Sequence, residues 1–451
     1  MKMTEKANVV VVGGGPAGMT AASRVKRFRP DWRVVVFERS KYVSYAPCGI
    51  PYFLGGLAKS VEELVHYPVR VFTEERGIEV HTEAEVVEAG EGYVRARFKD
   101  GTERTYEWDK LLIATGARPR VPRIPGTELT GVLTLRTLES AEEAKRALSQ
   151  AERVAVVGAG YIGLELADNL VRIGKKVILI ELLPHVMPTL DHDMAALVEN
   201  ELVRNGVELH LNETVKEVTG NGKVEKIVTD KGEYRVDAVF FATGVAPETA
   251  LAEMLGVKKG ITGAVSVDAS MSTNKEGVYA AGDVAETVNL VTGKPDWFPL
   301  APVANKMGYV AGASLAGLKE TFPGAVGTAV TKVFGLEVGR TGLTEERAVK
   351  EGFKPVSATI TANTRASYYP GSTRMTVKLI ADGSTGQLLG AHVVGGDGVL
   401  ARINALSVLV AKRATVREVF FSDLAYAPPF APVWDPVIVA ARVLLGKLAQ
   451  S

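Results

Sequence analysis

The feature that most limits the fold of this chain is a glycine-rich strand–turn–helix unit that occurs twice. In the first copy, an apolar run at residues 8–12 leads directly into the glycine turn of residues 13–18, and a helical stretch follows to about Arg29. A second apolar run, residues 33–37, closes with Glu38. Continuous apolar runs are typical of strands buried on both faces of a parallel sheet. The pattern therefore predicts a β-α-β unit that binds a dinucleotide.

Each glycine of this turn has a mechanical role. Gly13 allows the tight turn, Gly15 lets the backbone approach a pyrophosphate, and Gly18 permits close packing of the helix on the strand. The pyrophosphate rests on the helix N-terminus, where free N–H groups and the helix dipole favour anions. Glu38, about 20 residues beyond the turn, is placed to accept hydrogen bonds from a ribose.

The second copy repeats these features in the same order. The run at residues 153–157 leads into the glycine turn of residues 158–163, a helix is predicted to about Ile173, and the run at residues 176–180 closes with Glu181. One such turn is weak evidence, because glycine turns also serve packing alone. Two complete units in one chain, each ending in an acidic residue, favour two dinucleotide sites.

Three further strand ends support this interpretation. Residues 111–116 and 238–244 each end an apolar strand with Ala-Thr-Gly, and residues 273–283 end another strand with Gly-Asp. Gly-Asp alone is ordinary turn chemistry. In a doubly wound sheet, however, the ligand lies at the carboxyl ends of the strands, so we expect Asp283 to reach a ligand hydroxyl there.

Composition excludes several classes of function. The 451 residues carry 53 Lys and Arg against 52 Asp and Glu, so nothing draws the whole molecule to nucleic acid or to an anionic membrane. No apolar stretch is long enough to span a bilayer and no signal-peptide pattern opens the chain, which leads us to expect a cytoplasmic protein. The histidines have no metal-ligand spacing, and we assign no metal site.

On these residues the chain resembles the FAD-dependent pyridine nucleotide-disulfide oxidoreductases over essentially its whole length. The resemblance implies FAD on the first glycine turn, a nicotinamide cofactor on the second, and a C-terminal domain that forms a homodimer. The expected fold class is α/β, with two Rossmann-like domains and a C-terminal α+β dimerisation domain. Its expected parts are an FAD-binding domain at residues 1–118 and 246–323, an NAD(P)H-binding domain at 119–245 and a dimerisation domain at 324–451.

The resemblance also names candidate cofactor contacts. They are Gly13, Gly15, Pro16, Ala17, Gly18, Glu38, Arg39, Ser44, Thr115, Gly116, Gly158, Gly160, Tyr161, Ile162, Gly163, Glu181, Gly244, Gly282, Asp283 and Ala301. A carboxylate at Glu181 accepts from the 2′-OH of NADH and repels the 2′-phosphate of NADPH, and no Arg follows in residues 182–185. We therefore expect NADH to be preferred, with NADPH as the second choice.

Cys48 is the only cysteine, and it lies between Pro47 and Gly49 without apolar periodicity. A free cysteine is usually a small buried hydrophobe. Here Pro51 fits the first turn of a helix, which would place the sulfur near a helix N-terminus, where a thiolate is stabilised. We interpret Cys48 as a redox thiol. Without a second cysteine it can cycle only through a mixed disulfide with an external thiol or through a sulfenic acid.

Resemblance to known subfamilies helps to distinguish the mixed-disulfide route from the sulfenic-acid route, and two features of the sequence are relevant. Single-cysteine peroxidases and water-forming NADH oxidases carry a histidine in the first glycine turn, where this chain has Pro16. Residues 44–52, 368–371 and 424–430 are similar to coenzyme A-disulfide reductases, in which a tyrosine from each of the two later segments of the partner subunit faces the cysteine. The resemblance thus makes Tyr368 and Tyr426 candidate acids, since a phenol of pKa about 10 suits a departing thiolate of pKa about 8.5.

A basic cluster follows the first glycine turn on the same predicted helix. It comprises Arg24, Lys26, Arg27 and Arg29. Such charges are usually a solvated face, but coenzyme A carries several phosphate charges. We keep Arg24 and Arg27 as candidate coenzyme A contacts beside the solvated-face interpretation.

The sequence thus predicts an NAD(P)H- and FAD-dependent reductase that opens coenzyme A disulfide through a Cys48–S–S–CoA mixed disulfide. A sulfur, polysulfide or CoA persulfide reductase is the alternative, because these substrates offer the same S–S bond. An NADH oxidase is a second alternative. A reductase component for a ferredoxin or rubredoxin, in which Cys48 is only structural, is the alternative from a different class.

Overall fold

A computed structural model describes residues 4–450. The strands in chain order are β1 (Thr4–Val12), β2 (Val34–Phe37), β3 (Glu79–His81), β4 (Ala84–Gly90), β5 (Tyr93–Phe98), β6 (Glu103–Ile113), β7 (Ala117–Pro119), β8 (Val132–Leu133), β9 (Arg153–Val157), β10 (Lys176–Ile180), β11 (Glu208–His210), β12 (Val215–Thr219), β13 (Lys226–Thr229), β14 (Glu233–Arg235), β15 (Ala238–Phe241), β16 (Val245–Pro247), β17 (Val278–Ala280), β18 (Thr287–Val288), β19 (Pro295–Asp296), β20 (Ala329–Val333), β21 (Leu336–Gly342), β22 (Pro355–Asn363), β23 (Arg374–Asp382) and β24 (Leu388–Gly395).

The α-helices are α1 (Pro16–Phe28), α2 (Ile50–Leu54), α3 (Leu138–Gln150), α4 (Tyr161–Arg172), α5 (His192–Arg204), α6 (Ala250–Met254), α7 (Ala301–Leu315), α8 (Glu345–Lys350), α9 (Val399–Ala411), α10 (Val416–Phe420) and α11 (Pro436–Leu448). Short 3-10 turns at Pro47–Gly49 and Val61–Leu64 and a π turn at Val71–Glu75 complete the helical elements. Within residues 4–450, no helix combines the length and the apolarity needed to cross a bilayer.

The first sheet contains the first glycine unit. Its strands are ordered β3-β2-β1-β6-β5-β4, and β17 joins β6 although it lies far along the chain. β1 is parallel to β2 and to β6, whereas β4 and β5 form an antiparallel extension. The strands beside the glycine turn are fully buried, which is the burial that their continuous apolar runs predict. α1 and α7 pack against each other beside this sheet.

The second sheet has the order β11-β10-β9-β15-β8 and is parallel throughout. α3, α4 and α5 contribute to one core with it, while the small antiparallel sheet β12-β13-β14 packs on the other side. Both glycine units therefore have the strand–turn–helix–strand order that the sequence predicts.

A two-stranded antiparallel ribbon, β7 with β16, connects the two parallel sheets. Each strand of the ribbon follows one of the two Ala-Thr-Gly segments. The Thr115 hydroxyl donates to the carbonyl of Glu248 and the Thr243 hydroxyl donates to the carbonyl of Arg120, both at 2.6 Å. Each threonine hydroxyl thus bonds a backbone carbonyl of the segment that crosses between the two sheets.

The C-terminal part forms an antiparallel sheet, β20-β21-β24-β23-β22, with α9 and α11 packed on it. It contacts the second sheet's domain through α4, where the Thr331 hydroxyl donates to Glu165 at 2.7 Å and the Phe334 N–H donates to Asp168 at 3.0 Å. The predicted α/β class, with two parallel sheets and a C-terminal α+β part, is confirmed.

Candidate active site

A cavity of about 630 Å³ lies at the carboxyl ends of β1, β2, β6 and β17. This volume is in the range of small-molecule and cofactor sites, about 300–1,000 Å³. The predicted site residues that line it are Gly13, Gly15, Pro16, Ala17, Glu38, Arg39, Cys48, Thr115, Gly116, Gly282, Asp283 and Ala301. Residues more than 200 positions apart are therefore brought to one chamber, at the place where ligands of such sheets bind.

The glycine turn at the mouth of α1 leaves room for a pyrophosphate. Gly13 has φ +115°, and a Cβ on it would lie 2.0 Å from the carbonyl oxygen of Ala114. A Cβ on Gly18 would lie 1.9 Å from the carbonyl oxygen of Gly13. A Cβ on Gly15 would meet nothing within 4 Å, so this position faces open space. Gly13 and Gly18 thus serve chain packing, and Gly15 forms the cradle that the expected FAD pyrophosphate fits.

Glu38 and Glu181 occupy equivalent positions in the two units. Glu38 accepts from the N–H of Gly14 at 2.7 Å and from that of Ser40 at 2.8 Å. Glu181 accepts from the N–H of Ala159 at 2.7 Å and from that of Leu183 at 2.9 Å. In both units, then, the acid ties the glycine turn to the loop after the second strand, besides any bond it makes to a ribose.

The second glycine turn has a matching cradle. Gly158 has φ +101°, a Cβ on Gly163 would lie 1.9 Å from the Gly158 carbonyl oxygen, and a Cβ on Gly160 would meet nothing within 4 Å. Ile162 and Gly244 beside this turn are exposed. A second dinucleotide therefore fits here, on a surface that is open to solvent.

The backbone around Cys48 is held between the two glycine units. Cys48 lies in the 3-10 turn Pro47–Gly49, directly before α2, and Pro51 is in the first turn of that helix as predicted. α2 is buried in the core of the second sheet's domain. The Ala46 N–H donates to the Leu64 carbonyl at 2.8 Å, and a Cβ on Gly49 would lie 2.5 Å from Leu64. The exposed sulfur is thus presented to the cavity by an anchored turn.

The electrostatics of this thiol differ from the expectation. Although Cys48 is an exposed residue at the cavity wall, the protein packed around its thiol desolvates it in part and raises the pKa of Cys48. The negative charge of Glu165 raises this pKa further, and Arg136 lowers it. Stabilisation of the thiolate by the helix N-terminus, which the sequence analysis expected, is therefore not the dominant influence on this pKa. α2 has only five residues, and its N-terminus is outweighed by desolvation and a nearby carboxylate.

Arg136 is a site residue that the sequence reasoning missed. It lines the cavity, and its guanidinium donates to Asp283 at 3.0 Å across 147 residues of sequence. Glu165 was missed as well, although it follows the second glycine turn on α4. Burial raises the pKa of Glu165. The one local signal near Arg136 is the capping box of α3, in which Thr137 and Ser140 exchange hydrogen bonds.

The remaining predicted residues lie off the cavity wall. Ser44 has φ +51°, and its N–H donates to the Gly14 carbonyl at 2.9 Å. Tyr368 and Tyr426 are exposed, 76% and 47%, and are neighbours of each other in the C-terminal part. Partial burial and the contact with Tyr368 raise the pKa of Tyr426. Neither tyrosine lines the cavity of its own chain.

The basic cluster on α1 divides into packed and free members. The Arg24 guanidinium stacks 3.4 Å from the centre of the Tyr309 ring, Lys26 donates to the carbonyls of Pro30 and Trp32, and Arg29 donates to the carbonyl of Ala316. Arg27 is exposed. Arg29 is exposed as well but bonds a carbonyl, which leaves Arg27 as the exposed charge most available to a ligand.

Comparison with known proteins adds the following. Residues 7–308 match the family model described as pyridine nucleotide-disulphide oxidoreductase, and residues 328–436 match the dimerisation domain of the same family. A protein of Pyrococcus furiosus described as NAD(P)H sulfur oxidoreductase (CoA-dependent) is 49% identical over 443 residues, 98% of this chain and 99% of that protein.

Two further proteins are similar over nearly the whole chain. The NAD(P)H coenzyme A polysulfide/persulfide reductase of Pyrococcus horikoshii is 48% identical over 97% of this chain and 98% of its own length. The solved structure of a NAD-dependent persulfide reductase from A. fulgidus has a TM-score of 0.95 and 40% identity, covering 98% of this chain and 84% of that chain.

Proposed function

The chain belongs to the pyridine nucleotide-disulphide oxidoreductase family, and from this premise we propose that it is a coenzyme A-dependent NAD(P)H reductase of persulfide and polysulfide sulfur. The observation that carries the proposal is the position of Cys48 on one cavity wall with the first glycine turn and Asp283. The names of the similar Pyrococcus proteins support the persulfide alternative better than coenzyme A disulfide, which the sequence analysis placed first.

Different residues of the cavity would bind different parts of the cofactor. Gly15 at the N-terminus of α1 would cradle the pyrophosphate of FAD, Glu38 would accept from its ribose, and Asp283, held by Arg136, would accept from its polyol chain. When bound there, FAD supplies the relay that passes two electrons from the nicotinamide to sulfur. Gly160 and Glu181 hold the nicotinamide cofactor on the second unit.

Cys48 performs the sulfur chemistry. Its thiolate attacks the carbon-bound sulfur of a CoA persulfide, so that the Cys48–S–S–CoA bond forms, the persulfide S–S bond breaks and HS⁻ leaves. Two electrons from the nicotinamide cofactor then cleave this mixed disulfide and restore the Cys48 thiolate, and the CoA thiolate takes up a proton. The balance is NAD(P)H + H⁺ + CoA-S-SH → NAD(P)⁺ + CoA-SH + H₂S.

Tyr368 and Tyr426 supply protons in this scheme, from the partner subunit of a homodimer. The dimerisation domain of residues 328–436 contains both tyrosines, and both are exposed on a single chain. A phenol, whose ordinary pKa is about 10, is protonated at neutral pH and can give its proton to a departing thiolate. Arg27 and Arg24 remain the candidate contacts for the coenzyme A phosphates, and Arg27 is the more accessible of the two.

The test is turnover of purified holoenzyme with NADH and four oxidants: CoA persulfide, polysulfide, CoA disulfide and oxygen. We expect CoA persulfide to have the highest kcat/KM, with one sulfide released per NADH. Cys48→Ser should lower this turnover by about 1,000-fold or more, while reduction of ferricyanide, a one-electron acceptor, is retained. Mass spectrometry of the wild-type protein should find a CoA-sized adduct on Cys48.

Each other outcome has a clear meaning. A higher kcat/KM for CoA disulfide would restore the first interpretation of the sequence, and a higher value for oxygen would make the chain an NADH oxidase. Persulfide turnover that survives in Cys48→Ser would contradict the proposal outright. Ferricyanide reduction that is faster than turnover with all four oxidants and unchanged in Cys48→Ser would favour the electron-transfer alternative.

A further inference from the structure

The two exposed tyrosines of the C-terminal part are carried by two separate surface loops. Residues 364–373 form the first tyrosine loop, which connects β22 to β23 and carries Tyr368. Residues 424–435 form the second tyrosine loop, which leads into α11 and carries Tyr426. Side chains on surface loops are positioned only as well as the loop backbone is held. The placement of the two phenols therefore depends on the contacts that hold these two loop backbones together.

One buried guanidinium contacts both loops. Arg402 projects from α9 and is only 6% exposed. Its Nη2 donates to the Thr364 carbonyl of the first tyrosine loop at 3.0 Å and to the Phe430 carbonyl of the second at 3.4 Å. Its Nη1 donates to the Gly398 carbonyl at 3.1 Å, which ties it back to the start of its own helix.

The same guanidinium fixes the end of the second tyrosine loop. Arg402 Nη2 lies 2.9 Å from Asp435 Oδ2, and Nε donates to that oxygen at 3.1 Å. Asp435 caps α11 by accepting from the Val437 N–H at 2.9 Å. The loops also touch directly, because the Ala366 N–H donates to the Pro428 carbonyl at 3.2 Å. Arg402 is thus the centre of a small network that joins both loops to two helices.

We propose that Arg402 is the positioning residue that holds Tyr368 and Tyr426 beside one another in the geometry needed to protonate the leaving thiolate. The inference rests on the function proposed above. It assigns Arg402 no contact with substrate or cofactor, only the placement of the two loops that carry the phenols.

The geometry requires arginine in particular. The guanidinium presents five N–H donors in a fixed plane, and here they reach one carboxylate and three carbonyls in different directions. A lysine keeps the charge beside Asp435, but its single ammonium cannot occupy the Nε, Nη1 and Nη2 positions at once, so it cannot keep the bonds to Asp435, to the Gly398 carbonyl and to both loop carbonyls together. Arg402→Lys therefore loosens the loops without leaving a buried carboxylate unpaired.

The experiment is a double-mutant cycle on holoenzyme, read by stopped-flow reoxidation of the reduced flavin with CoA persulfide. Arg402→Lys should slow this step by about tenfold to a hundredfold, since displacement of a catalytic group by about 1 Å has such effects. In a Tyr368→Phe/Tyr426→Phe background, Arg402→Lys should slow the step less than twofold further, because no phenol is left to position.

Two variants complete the design. Arg413→Lys is the matched control. Arg413 lies just beyond the end of α9, and its guanidinium donates to the Leu290 carbonyl, which belongs to neither tyrosine loop. Asp435→Asn leaves one acceptor oxygen for the α11 cap and puts an amide NH₂ in place of the oxygen that Arg402 contacts, so it should slow reoxidation in the same direction. This variant is the second test if Arg402→Lys does not fold.

A slowing by the same factor in both backgrounds would overturn the positioning role and leave Arg402 as a purely structural residue. Failure of the proposed function has a different signature: replacing both tyrosines by phenylalanine would then leave reoxidation unchanged in the wild-type background. The two failures are therefore separate results of one cycle.

Discussion

The first and second glycine units have almost the same local geometry. In both, the first glycine has a positive φ, +115° for Gly13 and +101° for Gly158, and the last glycine lies against the carbonyl of the first. In both, a glutamate closes the second strand and accepts a 2.7 Å hydrogen bond from the middle of the turn. The two units differ in the segments of the chain that surround each glycine turn.

The first unit is enclosed. Segments from residues 12–17, 37–48, 84–87, 114–137, 248–254 and 281–304 wall its cavity, and Arg136 reaches Asp283 across it. The second unit is open, with Leu182 62% exposed beside Glu181. Its helix α4 directs Glu165 and Asp168 to the C-terminal part. We infer that enclosure suits a resident cofactor, whereas an open turn suits one that enters and leaves at each turnover.

The largest expected effect comes from filling the two open cradles. Gly15→Val and Gly160→Val both have room for a side chain, so both variants should fold. Because each side chain takes the place of a pyrophosphate, Gly15→Val should weaken FAD binding by about 100-fold or more. Gly160→Val should retain FAD and slow its reduction by NADH by a similar factor. The ratio of absorbance at 450 and 280 nm and stopped-flow reduction measure these effects.

The control for this pair is Gly13→Ala. Its Cβ would lie 2.0 Å from a backbone carbonyl at a positive φ, so the chain should lose about 3 kcal/mol of stability or more. If Gly160→Val lost FAD as readily as Gly15→Val, the two sites would not be separate in the way the structure indicates.

A smaller effect is expected at the acid of the second unit. Glu181→Ala removes a charge that repels a 2′-phosphate, so the ratio of kcat/KM for NADPH to that for NADH should rise about tenfold. Glu181 also accepts from the N–H groups of Ala159 and Leu183, so both KM values should increase as the loop loosens. Steady-state kinetics with both cofactors measures the ratio.

Glu181→Gln provides the matched comparison, since it removes the charge but keeps one acceptor oxygen. It should shift the ratio in the same direction with a smaller increase in KM. A ratio unchanged in both variants would mean that Glu181 does not select the cofactor.

The smallest effect is expected where α4 of the second unit approaches the thiol of the first. The negative charge of Glu165 raises the pKa of Cys48, so Glu165→Gln should lower it. A lower pKa means more thiolate at a given pH, and alkylation of the reduced enzyme by iodoacetamide below that pKa should become several-fold faster. The rate measured against pH should shift to lower pH.

Arg136→Met should shift the same curve to higher pH, because Arg136 lowers the pKa of Cys48. Glu346→Gln, an exposed carboxylate paired with Lys350, is the control and should leave the curve in place. If the pH dependence of alkylation is unchanged in Glu165→Gln, the charge on α4 of the second unit does not influence the pKa of Cys48.

Many elements could be read from the sequence because their signals are local. The apolar runs and glycine spacing locate β1, α1 and β2, and their counterparts in the second unit, to within four residues. Pro51 marks the start of α2, and Gly-Asp marks the end of the strand that leads to Asp283. Each of these follows from the conformational limits of a few adjacent residues.

Other contacts could not be predicted from local sequence patterns. Thr115 was predicted as a cofactor contact and lines the cavity, but the sequence did not show that its hydroxyl, like that of Thr243, bonds a carbonyl at a crossing between the sheets. Arg24 remains a candidate coenzyme A contact, but the sequence did not show that its guanidinium packs on Tyr309 from α7. In both cases the partner lies more than 100 residues away in the sequence, so the residues nearby carry no signal that identifies it.

The sequence by itself determined the two nucleotide-binding units and the solitary cysteine between them, since backbone geometry at glycine and the burial of apolar runs are short-range constraints. Tertiary structure alone decided which unit is enclosed, that Arg136 faces Asp283, and that the Cys48 thiol has a raised pKa. Desolvation and Coulomb interactions depend on every group that folding places nearby, and these groups come from all parts of the chain.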